Sequence, residues 1–139
     1  MTPLDPSDYH AMASFRHSLR KFLRFSKELL AGKWKLSPEQ YEALLALRAF
    51  GPEEGMSVGA LSENLQVRHH TAVALTNKLL LRKLVTKRRG QKDRRSVLVK
   101  LTPTGEELLD GVASVHRNAL KNYSGEMIDC LAQLQKSPN

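Results

Sequence analysis

Apolar residues recur along most of this chain at the three- and four-residue spacing of helices, and at a spacing of two in one stretch only. Residues 1–7, with two prolines, read as an unstructured lead-in. From 8 to 31, Phe15, Leu19, Phe22, Leu23, Leu29 and Leu30 fall on one side of a long helix, and Arg16, Arg20, Lys21, Arg24 and Lys27 occupy much of the rest. Such a stripe needs a cover, which either the chain's own domain or a second copy can supply. Gly32 is the expected stop.

Ser37-Pro38-Glu39-Gln40 then has every part of a helix start: a side-chain acceptor, a proline for the first helical position and a glutamine able to reach back. The helix it opens carries Tyr41, Leu44, Leu45, Leu47 and Ala49 and ends near Gly51-Pro52, a turn with helices expected on both sides. Ser57 caps a short helix to about Leu65, and Gln66, Val67 and Arg68 connect it to another with Ala72, Leu75, Thr76 and Leu79 on its apolar side. Two short helices joined by a tight turn, the second rich in polar and basic residues, form a helix-turn-helix.

The period then changes. Leu84-Val85-Thr86-Lys87-Arg88-Arg89 has a β-branched centre, Gly90-Gln91-Lys92-Asp93 offers turn chemistry, and Val97, Val99 and Leu101 alternate. A β-hairpin with a basic tip placed directly after a helix-turn-helix makes a winged helix. Thr102-Pro103 starts another helix with Leu108, Leu109, Val112, Val115 and Ala119, expected to fade by Tyr123, where Ser124 would cap a last short helix bearing Met127, Ile128, Leu131 and Leu134. The fold class is α+β, mostly helical, in a single unit over residues 1–139: a winged-helix lobe at 37–102 between long helices at 8–31 and 103–136.

Charge sharpens this picture. The 139 residues carry a net +8, yet residues 68–100 alone hold eleven basic residues and one acid, a net of +10, and the remainder is slightly acidic at −2. A nearly neutral scaffold with one strongly positive segment points to a polyanion bound at one place, and nucleic acid is the leading candidate. With 41% apolar and 26% charged residues the chain should fold. A single cysteine, Cys130, excludes an internal disulfide framework and a Cys-rich zinc site. No long uncharged apolar window and no basic-then-apolar leader appear, so a cytoplasmic protein with no membrane partner is expected.

The segment Asp93-Arg94-Arg95-Ser96-Val97-Leu98-Val99-Lys100-Leu101-Thr102-Pro103-Thr104-Gly105 resembles the wing of the MarR (multiple antibiotic resistance regulator) transcription factors, whose pattern is D-x-R, five free positions, then L-T-x-x-G. The order of helices resembles that family along nearly the whole chain. The resemblance implies a homodimer held by the first and last helices, a recognition helix in the major groove and a wing reaching the minor groove. It further implies a regulator, typically a repressor, on a pseudo-palindromic operator, released by a small-molecule effector entering between the dimer arms and the winged-helix lobe. The dimerisation residues would be Phe15, Leu19, Phe22, Met127, Ile128 and Leu131. Two positions depart from the common pattern: Ala74 stands where a basic residue often sits, and Lys83 replaces the glycine that often ends the recognition helix.

Phosphates call for Lys, Arg, hydroxyls and amides, and base edges call for polar side chains at the exposed front of a helix. The recognition-helix candidates are Arg68, His69, His70, Thr71, Asn77 and Lys78; the wing candidates are Lys87, Arg89, Lys92, Arg94 and Arg95. Asp93, which phosphate would repel, is assigned to shaping the wing by accepting from Arg95 or from loop amides. Because strand alternation sends neighbours to opposite faces, only part of the run Lys87-Arg88-Arg89 can face DNA.

Other readings carry less. The chain has no G-x-S-x-G, P-loop, H-E-x-x-H or G-x-G-x-x-G, so no enzyme, metal site or cofactor is expected. A metal- or redox-responsive regulator of the same fold would use Cys130 and His116, although a lone cysteine among Met127, Ile128 and Leu131 more often packs. A basic module for RNA or anionic membrane is the remaining alternative; against RNA, residues 68–100 contain no Phe, Tyr or Trp.

Overall fold

The computed structural model describes residues 3–92 and 95–138. Helix α1 (Pro6–Leu29) runs into one π-helical turn (Leu30–Trp34), followed by α2 (Pro38–Phe50), β1 (Met56–Ser57), α3 (Val58–Leu65), α4 (His69–Leu81), β2 (Val85–Arg89), β3 (Val97–Leu101) and α5 (Pro103–Lys136). The α+β, mostly helical winged-helix architecture read from the sequence is the one observed.

Helix α1 begins earlier than the lead-in reading allowed. Asp5 accepts from the amides of Ser7 and Asp8, while the Asp8 carboxylate accepts from the Asp5 amide, a complete capping box with Pro6 at the first helical position. The hydrogen bonds from Ser7 and Asp8 hold the Asp5 carboxyl below its ordinary pKa. Gly32 does not stop the helix. The chain widens into a π-turn and ends on Lys35 in the left-handed region (φ 55°), with the Leu36 amide donating 3.1 Å to the Leu30 carbonyl.

The next correction is a strand. After the Gly51-Pro52 turn comes β1, which pairs antiparallel with β3 through Met56–Val99 and Ser57–Leu98, so the hairpin becomes a three-stranded sheet of order β1-β3-β2. Val85 opposite Leu101 and Lys87 opposite Val99 set the register of the other pair. This register turns Val85, Val99 and Leu101 inward, where they join Leu44, Leu61 and Leu79 in the core. Each such aliphatic side chain contributes about 1.5–3 kcal/mol by burial.

Helix α5 is continuous where two helices were expected. Ser124 does not cap: its hydroxyl donates to the Lys121 carbonyl within the helix, a bond that a serine can make without breaking the ladder. The predicted stripe of α1 is also only half right. The face that α1 buries within the chain is Asp8, Ala11, Ser18 and Ser26, mostly small residues spaced three, seven and eight apart. Small side chains let α1 lie close along α5, which pushes Phe15, Leu19 and Phe22 to the flanks, where they are half-buried, and leaves Leu23 53% exposed. Where α1, α2 and α5 meet, His116 is buried: Nδ1 donates to the Val112 carbonyl (2.8 Å), Nε2 pairs with the Ser26 hydroxyl (2.7 Å), and the ring stacks on Tyr41 at 4.6 Å. Burial raises the Tyr41 phenol pKa above its ordinary value.

The L-T-x-x-G motif has a packing explanation. Leu101 is buried at the end of β3, and the Thr102 hydroxyl accepts from the Gly105 amide (3.0 Å) to cap α5 while donating to the Lys83 carbonyl (2.8 Å). The Thr102 amide donates 3.0 Å to the Leu84 carbonyl. At Gly105, a Cβ would sit 2.1 Å from that same carbonyl, so only glycine lets α5 start against the base of β2. Lys83 stands at φ 59°, the left-handed cap expected where the family commonly has glycine. The amides of Lys83 and Leu84 donate to the carbonyls of Leu80 and Leu79, closing α4 in a Schellman motif. Beside it, the Arg82 guanidinium donates to the carbonyls of Lys35 (2.9 Å) and Trp34 (3.0 Å), fastening the end of α4 to the π-turn.

Urea unfolding should separate these features. Lys83→Gly relieves a side chain held in the left-handed region and should raise stability by about 0.5–1 kcal/mol, whereas Gly105→Ala forces backbone apart and should lower it by about 1–3 kcal/mol. Arg82→Ala should cost about 1 kcal/mol, and Arg82→Lys should recover little of it, because one ammonium cannot reproduce the forked contact to two carbonyls.

Candidate nucleic-acid interface

The front of α4 is built without a side-chain cap. Arg68 holds the N-cap position in extended conformation and His69 and His70 form the first turn, so the first backbone N–H groups of α4 face outward. Arg68, His69 and His70 are exposed and Thr71 is half-buried. Further along, His70, Ala74, Asn77, Lys78 and Leu81 recur at three and four residues on the exposed side, opposite the buried Ala72, Leu75, Thr76 and Leu79. Thr76, placed on the apolar side from the sequence, is fully buried and spends its hydroxyl on the Ala72 carbonyl (2.8 Å). The exposed side therefore offers polar groups at its front and middle and an apolar Leu81, 85% exposed, at its end.

The wing stands beside this helix. Lys87 Nζ donates 3.2 Å to Asn77 Oδ1, a bond from β2 to the middle of α4 that joins a predicted wing residue to a predicted helix residue. Arg88 faces elsewhere: its Nε and Nη2 donate to the Glu54 carbonyl at 3.2 and 2.9 Å, pinning the strand to the loop before β1. Strand alternation thus divides the basic run, with Lys87 at α4 and Arg88 in a structural bond. Arg89, Lys92 and Arg95 are exposed on or near the wing, and the Gly90 amide donates to the Ser96 carbonyl (3.0 Å) to close its base. Asp93 and Arg94 lie outside the described residues, and with them the wing-shaping part assigned to Asp93.

Between α4 and the wing lies a groove of about 350 Å³ lined by His69 and Val73 from α4, Lys87 from β2, Arg95 from the wing, and Ser57 and Gly59 from the start of α3. The structure brings His69, Lys87 and Arg95 to one groove although they are far apart in sequence. Sequence reasoning missed the contribution of α3: Ser57 was legible as a cap, and its hydroxyl does accept from the Ala60 amide (3.0 Å), but nothing local shows that this turn borders the wing. The six residues assigned to dimerisation lie elsewhere, along α1 and α5. Phe15, Leu19, Phe22 and Met127 are half-buried, Ile128 is 61% exposed and Leu131 46%.

The rival sensing pair is not assembled. His116 and Cys130 are fourteen residues apart on one continuous helix, hence about 21 Å along its axis, and both are buried. Among the described residues no group of three or more His, Cys, Asp or Glu side chains is placed to hold a metal ion. Among the described residues no helix is long and apolar enough to cross a membrane.

Comparison with known proteins agrees with this geometry. The profile of the MarR family matches residues 34–96, which run from the π-turn through α4 to the wing. No curated protein matches by sequence. Among solved structures, the transcriptional regulator BldR from Sulfolobus solfataricus is 25% identical with a TM-score of 0.71, over 95% of this chain and 98% of that one. AbsC, a MarR family transcriptional regulator from Streptomyces coelicolor, is similar in fold at 20% identity and a TM-score of 0.76, over 98% of this chain and 92% of its own. A MepR–DNA complex from Staphylococcus aureus gives 21% identity and a TM-score of 0.73, over 88% of this chain and 91% of MepR. The matched winged-helix segment and the whole-chain fold make this chain similar to the MarR family of transcriptional regulators.

Proposed function

We propose that the chain is a homodimeric, sequence-specific regulator of transcription that binds duplex DNA through α4 and the wing and acts as a repressor on a pseudo-palindromic operator. The observation that carries this reading is the convergence, on one side of the molecule, of the exposed front of α4 and a basic wing drawn from a segment of net charge +10. A MarR-fold relative has been solved on DNA, which supports the same use of the surface here. In this reading Arg68, His70, Thr71 and Lys78 meet base edges and phosphates of the major groove, and His69 stands at its margin. Lys87, Arg89, Lys92, Arg94 and Arg95 reach the flanking backbone and minor groove, where narrow A·T-rich DNA attracts arginine. Asn77 holds Lys87 toward the DNA, and Asp93 shapes the loop.

The dimer reading rests on α1 and α5. The apolar residues that the chain's own packing leaves half-buried or exposed, Phe15, Leu19, Phe22, Met127, Ile128 and Leu131, gain cover from a second copy, and residues 37–102 then act as a lobe carried on arms formed by 8–31 and 103–136. Release by a small ligand would require a pocket between arms and lobe that differs between two states.

Two experiments test the proposal. Genome-wide selection of bound duplex fragments should return pseudo-palindromes with half-sites about 34–36 Å apart, with affinity falling by about 10³–10⁵ between about 50 and 200 mM salt if six to ten phosphates are engaged. Arg95→Ala should weaken binding to most sites alike, and His70→Ala should relax preference at defined positions; parental behaviour in both variants would refute the residue assignments. Light scattering should report a dimer for the parent and a folded monomer for Ile128→Asp combined with Leu131→Asp. A parent that runs as a monomer at micromolar concentration would remove the paired half-sites.

A further inference from the structure

The exposed row of α4 changes chemistry at its centre. His70, Ala74 and Lys78 follow one another at four-residue intervals on the side turned away from the core, and Asn77 lies beside them. His70 and Lys78 carry polar heads that can bond base edges or phosphates. Asn77 is already engaged, its Oδ1 accepting from Lys87 Nζ at 3.2 Å. Ala74, exposed between them, offers a methyl group alone, which neither donates nor accepts. The other exposed apolar residue of α4 is Leu81. It stands in the last turn, beyond the last polar residue of the row and at the negative end of the helix dipole, which a phosphate backbone disfavours. Ala74 instead has a hydrogen-bonding residue one turn away on either side, so any duplex held by His70 and Lys78 is drawn against its methyl group.

We propose that Ala74 selects thymine: its Cβ packs against the C5 methyl of a thymine in the major groove and determines specificity at one base pair of each half-site. The inference rests on the reading of the chain as a duplex-DNA binder that lays α4 in the major groove, and it names a base read there. Among the base edges displayed in that groove, thymine alone carries a methyl group. The amino, keto and ring-nitrogen groups of the other edges would lose water to Ala74 and receive no bond in return. The short side chain also requires close approach, because Cβ reaches a base methyl only when the backbone of α4 lies near the groove floor. Four residues advance the helix by about 6 Å, close to two base-pair steps of about 3.4 Å. With the axis along the groove, the selected thymine therefore falls about two pairs from the position met by His70.

The probe is a duplex that the parent selects from a random-sequence pool, with its thymines replaced one at a time by deoxyuridine. This removes the C5 methyl and leaves base pairing unchanged. One thymine in each half-site should matter, its replacement weakening binding by the parent about fourfold, the worth of one buried methyl group. Ala74→Gly should bind the thymine and uracil duplexes alike. Ala74→Lys, a helix-favouring replacement at an exposed position, keeps the comparison available should glycine unwind the helix. It should be equally indifferent to the methyl group, and its own selection should return sites degenerate at that base pair with a steeper dependence on salt. Equal affinity of the parent for thymine and uracil at every position overturns the proposal, as does a methyl effect that survives in Ala74→Lys or that disappears in Leu81→Ala instead. A parent that selects no sequence at all removes the DNA reading itself, an outcome distinct from selection followed by indifference to uracil.

Discussion

The backbone of Lys83 and Leu84 is where the end of α4, the first strand of the wing and the start of α5 are held together. The Lys83 carbonyl takes the Thr102 hydroxyl and the Leu84 carbonyl takes the Thr102 amide, while the bare Cα of Gly105 rests against the same carbonyl. Because the Thr102 hydroxyl also caps α5, one side chain helps to fix the direction of the C-terminal helix relative to α4. The start of α5 is therefore tied to the end of α4 by a few hydrogen bonds, and the Arg82 contact ties the same end of α4 to the π-turn.

The left-handed residues reflect the same constraint. Lys35, Gln66 and Lys83 each end a helix at positive φ without being glycine, which costs local free energy at three turns. What they gain is abrupt reversal: Gln66 allows a short passage from α3 to α4, and Lys83 allows β2 to begin two residues later. Abrupt turns keep α3, α4 and the wing close enough to share the groove at His69. Lysine and glutamine tolerate these sites because their side chains project into solvent.

The two long helices divide their surfaces by side-chain size. Small residues of α1 meet α5 within the chain, and large apolar residues lie at the flanks of that contact. A helix pair packed this way is complete in its backbone approach but leaves apolar area for another pair, which is the arrangement expected of an arm that joins a copy of itself. Buried His116 and half-buried Tyr41 lie where α2 meets this pair, the imidazole bonded to the Ser26 hydroxyl and the Val112 carbonyl and stacked on the phenol.

Most of the element order was legible from local signals: the Ser37, Ser57 and Thr102 caps, the prolines that follow Ser37 and Thr102, the period-two strand ending at Leu101 and the positive segment all act over a few residues. At Lys83 the resemblance, through the glycine that often ends this helix, left open a left-handed cap or a different one, and the structure has the left-handed one. Other features were decided by tertiary contacts. Met56 and Ser57 are too few to show a strand period, and only the free edge of β3 makes them one. Tyr123 and Ser124 look like a break until α1 supplies a surface against which α5 continues. The sequence by itself determined which segments turn, cap and carry charge, because those depend on neighbouring residues. The company of His69, Lys87 and Arg95, the separation of Lys87 from Arg88 and the closeness of Gly105 to Leu84 belonged to the folded chain, because they depend on distances between elements remote in sequence.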